Sequence, residues 1–333
     1  MTKEIKNTKE RKILNVTGHS KIFYTISCSL IALFIILTAV IGLNVDIAFK
    51  GGTILTYSYT GDISDSDVSK IVSDTLNLKA TVTKGENTAT SQKTVKIQFA
   101  STKGISDDKQ TALKAALVEN FPDNEIEPFE TNDVSASNGM DFFLKCLAAC
   151  ALAAVITIIY IGFRFKKIGG ISAGVFSVVA LIHDMCMVYG CFVICRFDIN
   201  ANFMAVLLTI LGYSINATII IYDRIRENQN LKGKSMELDE LVNLSITQTM
   251  GRSINTTVTT VAAMTTVCIV CLVFNVTSIL SFAFPLIIGM IAGVYSSNCI
   301  APTLWVHWKK HQAKKKALED KSSKKKTASK GRR

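Results

Sequence analysis

The stretch ISAGVFSVVALIHDMCMVYGCFVIC, residues 171–195, decides how this chain is read. Crossing the hydrocarbon of a bilayer takes about 20 apolar residues, so the run is long enough to span. Near its middle stand His183 and Asp184. An ionised carboxylate at that depth costs about 2.5–3.5 kcal/mol on insertion scales, so such residues face the interior of a helix bundle. Two readings of the pair stay open. It marks a proton or ion path, because histidine titrates near physiological pH, or it is a structural hydrogen-bonding pair between helices.

Outward from this run, five more apolar stretches are long enough to cross: 21–43, 142–163, 201–222, 255–274 and 279–305. The first exceeds the usual 7–15 residues of a signal-peptide core, and no small-residue cleavage site follows it. Loop 275–278 is short enough to force a tight hairpin of the last two spans. Composition agrees: 49% of residues are hydrophobic and only 19% charged, against about 25% charged in a typical soluble domain. The net charge of +11 resembles a nucleic-acid footprint, but its placement argues otherwise. Of the 37 Lys and Arg, 26 fall in segments 1–21, 164–170, 223–252 and 306 onward, whereas the short loops 196–200 and 275–278 hold only Arg196. Basic residues concentrate on the cytoplasmic side. The expected topology is therefore a cytoplasmic N-terminal tail (1–20), a cytoplasmic C-terminal tail (306–333) and an outer segment, 44–139.

That outer segment reads as a folded domain. Thr53–Tyr59 alternates like a strand. Ser64–Leu76 carries Val68, Ile71, Val72 and Leu76 at helical spacing. Lys79–Lys84 and Thr94–Ala100 are short β-like runs around the polar turn Gly85–Lys93. Ser106–Phe121 is a second helix, with Ser106 and Asp107 as cap candidates, and Asn124–Glu130 is the expected last strand. The order βαββαβ is that of a small α+β, ferredoxin-like unit. Segment 223–252 is expected to be a cytoplasmic loop whose second half, Met236–Met250, forms an amphipathic helix at the membrane interface. The tail, with Lys314–Lys316 and Lys324–Lys326, is low-complexity. It reads as a solvated basic tail or as a contact for anionic lipid or ribosomal RNA.

Nothing in the sequence supports an enzyme: there is no Walker A, HExxH or GxSxG pattern. The nine cysteines all lie in apolar segments, as small buried hydrophobes do, and do not form a disulfide framework or zinc cluster. No cofactor or metal is expected. The informative residues are polar ones inside spans. Span four contains Thr209, Tyr213, Ser214, Asn216 and Thr218; span five opens with Arg252, Asn255, Thr256, Thr257, Thr259 and Thr260. Arg252, Thr256 and Thr260 share one helix face. The bland account is interhelical glue, at about 0.6 kcal/mol per bond. Gly170/Gly174 and Gly289/Gly293 have the spacing that permits close helix approach.

Six motifs in order then carry a resemblance: Phe49-Lys50-Gly51-Gly52-Thr53 after span one, Tyr160–Phe165, the His183-Asp184 pair, Gly212–Asn216, Asp223–Asn228 and Ser245–Arg252. From residue 20 to 305 the chain resembles the SecF family, the smaller membrane subunit of the SecDF accessory complex of bacterial protein export. The resemblance implies an α-helical polytopic membrane protein with six transmembrane helices, half of a resistance-nodulation-division (RND) type fold. It implies a heteromer with SecD in the cytoplasmic membrane, working beside the SecYEG channel and SecA, with YajC and YidC as further partners and preproteins as substrates. It also implies use of the proton motive force. Membrane lipids are the remaining contact, and no specific nucleic acid is expected. The family's proton path is proposed to use an intramembrane Asp directly after the span-four Asn, with an Arg and a Thr one turn apart on span five. Arg and Thr correspond to Arg252 and Thr256, but the residue after Asn216 is Ala217, which cannot titrate. Arg252, Thr256, His183, Asp184, Asn216 and Tyr213 are thus the coupling candidates. Gly51 and Gly52 are the candidate joint of the outer domain, since glycine admits backbone angles closed to other residues. Two other functions compete. Half of a small-molecule RND exporter would need a larger outer domain with a substrate cleft. A non-coupling membrane scaffold would explain Ala217 but not the other buried polar residues.

Overall fold

The structure is a computed structural model that describes residues 13–46, 49, 51–78, 80–86, 92–99, 105–134, 136–233, 235–274 and 277–330. In chain order its elements are α1 (Ser20–Ile41), β1 (Gly52–Tyr59), α2 (Asp65–Leu76), β2 (Ala80–Glu86), β3 (Lys93–Phe99), α3 (Asp107–Asn120) and β4 (Glu127–Val134). The long helices α4 (Ala136–Arg164), α5 (Gly170–Cys195), α6 (Ala201–Lys232), α7 (Leu238–Val273), α8 (Thr277–Tyr295) and α9 (Ala301–Lys330) follow. The chain divides into two compact units, residues 43–150 with 196–204, and residues 1–42, 151–195 and 205–333.

The first unit contains the βαββαβ domain. Its sheet runs β2-β3-β1-β4 with every neighbouring pair antiparallel, the ferredoxin-like arrangement. Alternation puts Leu55, Tyr57 and Tyr59 of β1 and Val95, Ile97 and Phe99 of β3 into one core, which Val68 and Val72 of α2 and Leu113 and Leu117 of α3 close. The last strand lies later than the sequence predicts. Pro122–Asn124 forms a 3-10 turn, and Glu125 takes a left-handed φ of 42°. The Asn124 side-chain amide donates to the carbonyls of Thr60 (2.6 Å) and Asp62 (3.3 Å). The turn is therefore pinned, and the chain becomes extended only at Glu127. Ser64 and Ser106 occupy the N-cap positions without a side-chain cap bond; acidic first turns still complement the helix dipoles. Ahead of β1, Gly51 and Gly52 adopt φ of 77° and 153°. Phe49 packs on Phe142 and Phe143, with ring centroids 5.7 and 5.8 Å apart.

Six helices are long and apolar enough to cross a membrane. They are unequal. In α5, 56% of the most apolar window is buried within the chain, against 6% in α4. Helix α5 packs on α1, α8 and α9, so polar groups on it are the ones this chain itself encloses. Three stretches differ from the expected layout. Helix α6 runs ten residues past the expected span, to Lys232, and α7 is a single helix from Leu238 to Val273 rather than an interfacial helix followed by a separate span. A glycine in a helix interior costs about 1 kcal/mol. Packing of Leu241, Val242 and Ile246 against Tyr222, Ile225 and Trp305 outweighs that cost at Gly251. The last span likewise continues beyond residue 305 into α9, after a π turn at Ser296–Ile300. Pro302 accounts for that turn: it has no N–H to offer the carbonyl four residues back, and its ring crowds that carbonyl.

Candidate functional site

The polar residues of the spans sort into two groups. The first surrounds Asp184. Its side chain is fully buried, and its Oδ2 accepts from Ser214 Oγ of α6 at 2.5 Å and from Ser296 Oγ of the π turn at 2.8 Å. Oδ1 lies 3.1 Å from His183 Nδ1. The cluster extends further. Ser297 Oγ lies 2.8 Å from Thr218 Oγ1 and donates to the Ser214 carbonyl at 3.2 Å. The wide π turn is what buries Ser296 and Ser297 together, and π turns recur at functional positions. Gly293 completes the fit, since a Cβ there would stand 3.2 Å from Ser214 Cβ and 3.6 Å from Asp184 Oδ2. The His183 ring meets the Tyr295 ring at 5.7 Å, and Tyr295 donates to the Phe23 carbonyl of α1 at 2.8 Å. Among the described residues, His183 Nε2 is buried with no hydrogen-bond partner. Four helical segments thus meet around one carboxylate. Low dielectric strengthens each of these bonds and makes the open Nε2 costly.

The second group lies on α6 and α7. Tyr213 OH stands 2.7 Å from Thr257 Oγ1, and Arg224 donates to Gln248 Oε1 at 2.7 Å, so the two helices are tied together. Beside these ties Asn216, Arg252, Asn255 and Thr256 are exposed. Thr259 and Thr260 satisfy their hydroxyls on carbonyls of their own helix. Asn216, Arg252 and Asn255 have no side-chain partner among the described residues, and no carboxylate pairs with Arg252 there. Ala217 is half-buried and supplies neither charge nor hydrogen bond. The structure therefore separates the coupling candidates. It brings His183 and Asp184 together with Ser214, and leaves Asn216, Arg252 and Thr256 on an outward face with Tyr213 at its border. Reading the sequence missed Ser296, Ser297 and Tyr295. Pro302 was the available signal, because it disturbs the turn before it. Among the described residues no group of three or more His, Cys, Asp or Glu is placed to hold a metal.

Residues 113–311 match the family profile described as "Protein export membrane protein SecD/SecF, C-terminal". The chain belongs to the SecD/SecF protein-export family. It is 32% identical over 314 residues to the SecF subunit of Alicyclobacillus acidocaldarius, covering 91% of this chain and 96% of that one. It is 32% identical over 306 residues to SecDF of Bacillus subtilis, covering 91% of this chain but 39% of that longer protein. Among solved structures, SecDF of Thermus thermophilus, titled a translocon-associated membrane protein, matches with a TM-score of 0.70 at 27% identity, over 89% of this chain and 39% of that one. SecDF in a super-membrane-facing form matches with a TM-score of 0.67 at 25% identity, over 93% and 40%. The chain thus spans about two fifths of the SecDF proteins and nearly all of a separate SecF subunit. SecD/SecF membership makes it a multi-pass membrane protein and a SecDF-type accessory subunit of protein translocation.

Proposed function

We propose that this chain is a non-catalytic subunit that pairs with a SecD subunit through the exposed polar face of α6 and α7, and that the pair helps draw preproteins outward using the proton motive force. The observation that carries the reading is Arg252. A guanidinium at the end of a span, with no acceptor among the described residues of its own chain, is costly unless a partner supplies one. Asn216, Asn255 and Thr256 beside it are equally ill-suited to lipid. A carboxylate on SecD, facing Arg252, satisfies the face and takes over the role that Ala217 cannot play. Protonating that carboxylate would break the pair. One charge moved through 100 mV is worth about 2.3 kcal/mol, enough to bias a two-state arrangement. On this reading the outer domain meets the emerging preprotein and turns about Gly51 and Gly52. SecYEG and SecA, with YajC and YidC, form the surroundings that the family resemblance implies.

The orientation proposed is N-in and C-in in the cytoplasmic membrane, from the bias of Lys and Arg described above. A cysteine placed at Asp65 should react with an impermeant reagent in intact cells, and one at Ser235 only after the membrane is opened. Reaction at Ser235 in intact cells overturns the orientation. A photo-crosslinking side chain at Thr256 tests the partner face. An adduct with SecD is expected, and adducts with lipid alone contradict the reading.

A further inference from the structure

A groove at the α4–α5 corner is not used by the function above. Helix α4 ends at Arg164, a 3-10 turn covers Lys166–Ile168, and α5 begins at Gly170. The two helices approach backbone to backbone. A Cβ on Gly170 would come within 2.8 Å of the Ile161 carbonyl oxygen, and one on Gly174 within 3.1 Å of Ile158. Beside this contact lies a cavity of ≈ 1030 Å³. Apolar side chains of α4 and α5, among them Ile158, Ile171 and Val175, line it together with Lys166, Trp308 and Lys309.

Three features identify the occupant. Phe163 and Ile171 on its wall are 68% and 72% exposed, which suits hydrocarbon and not water. Lys166 and Lys309 have no carboxylate partner among the described residues, whereas neighbouring cations do: Arg164 pairs with Asp223 at 3.2 Å, and Lys310 with Asp239. The two free ammonium groups instead lie over aromatic rings, Lys166 at 4.7 Å from the Phe163 centroid and Lys309 at 5.9 Å from that of Trp305. Finally, Trp308 is a half-exposed indole at the end of a span, where tryptophan marks headgroup depth. An apolar trough with two uncompensated cations at headgroup depth is complementary to a molecule with a hydrocarbon chain and a phosphate diester.

We propose that this groove binds an anionic phospholipid, with an acyl chain along α4 and α5 and the headgroup phosphate between Lys166 and Lys309. Trp308 reports on the site. The full chain is reconstituted in phosphatidylcholine vesicles with a small share of brominated phosphatidylglycerol, and quenching is taken as the difference between wild type and Trp308→Phe. Quenching should exceed that from the same share of brominated phosphatidylcholine. The preference should fall about fivefold for each of Lys166→Gln and Lys309→Gln, and not at all for Lys315→Gln in the tail. Gly162→Leu, at a position where a Cβ meets only Ile171 at 3.6 Å, keeps both charges and fills the trough; it should remove the quenching while the protein still elutes as a folded species. Equal quenching by the two lipids means general lipid contact and overturns the proposal. Absence of quenching by either means that protein covers the groove, and also overturns it. Full displacement by soluble glycerophosphate would show a site for free phosphate instead of lipid.

Discussion

Asp184 and Arg252 are both charged residues at the level of the spans, and the chain treats them in opposite ways. Around Asp184 it supplies Ser214, Ser296 and the imidazole of His183. Around Arg252 it supplies nothing among the described residues. The difference follows from the helices that carry them. Helix α5 is surrounded by α1, α8 and α9, so a polar group on it must be satisfied internally. The span part of α7 leaves most of its surface outward: only 17% of its apolar window is buried. A hydroxyl there can fall back on a carbonyl of its own helix, as those of Thr259 and Thr260 do, but an outward guanidinium such as that of Arg252 needs an acceptor from another chain. Internal satisfaction is a condition of folding, and external satisfaction is a condition of assembly.

The contrast can be broken first at Asp184. Asp184→Ala leaves the buried Ser214 hydroxyl without an acceptor and Ser296 Oγ with only the Gly293 carbonyl at 3.2 Å, at about 1–3 kcal/mol for a buried group left unsatisfied. A loss of about 3 kcal/mol in unfolding free energy of the purified chain is expected. Asp184→Asn keeps an acceptor and should cost about 1 kcal/mol. Arg252→Met should leave the stability of the isolated chain unchanged within about 0.5 kcal/mol. Equal losses at the two sites would erase the distinction between folding and assembly.

A smaller effect is expected at the joint. Gly51 at φ 77° lies where a side chain with Cβ costs roughly 1–2 kcal/mol. Gly51→Val should therefore impair export in cells while membrane insertion, measured by fractionation, stays normal. Wild-type export would remove the joint from the account. The outer domain, expressed as residues 49–134, should unfold cooperatively by itself. Burial pushes the Tyr57 hydroxyl up from 10.0 to about 12. The folded state then holds a proton that the unfolded state releases above pH 10. Stability should fall by about 1 kcal/mol per pH unit between pH 10 and 12, and Tyr57→Phe should flatten that slope. An unchanged slope would mean that Tyr57 is exposed.

The fold was largely legible because its signals are periodic. The alternation of β3 and the helical spacing of Val68, Val72 and Leu76 survive in the core, and six apolar runs are hard to misread. The errors fell where a local rule met packing. Met236–Met250 reads as an interfacial helix separate from the fifth span, yet the contacts of Leu241 and Ile246 help carry α7 through as one helix. Asn124 looks like the start of a strand, but its amide is committed to the carbonyls of Thr60 and Asp62. At the site, His183 and Asp184 stood out because charge in an apolar run is conspicuous. Ser296 and Ser297 did not, since serine is common in spans and only the π turn before Pro302 aims both inward. That Arg252 faces away from its own bundle is a property of the fold, not of its neighbours in sequence.

The most direct test of the central claim is preprotein release from energised vesicles containing the channel, SecD and this chain, measured with and without an uncoupler. If Arg252 meets a SecD carboxylate, Arg252→Met abolishes the uncoupler-sensitive stimulation while SecD still co-purifies with the chain. If Arg252→Met retains full uncoupler-sensitive release, the α6–α7 face plays no part in coupling, and this chain is a scaffold for the pair.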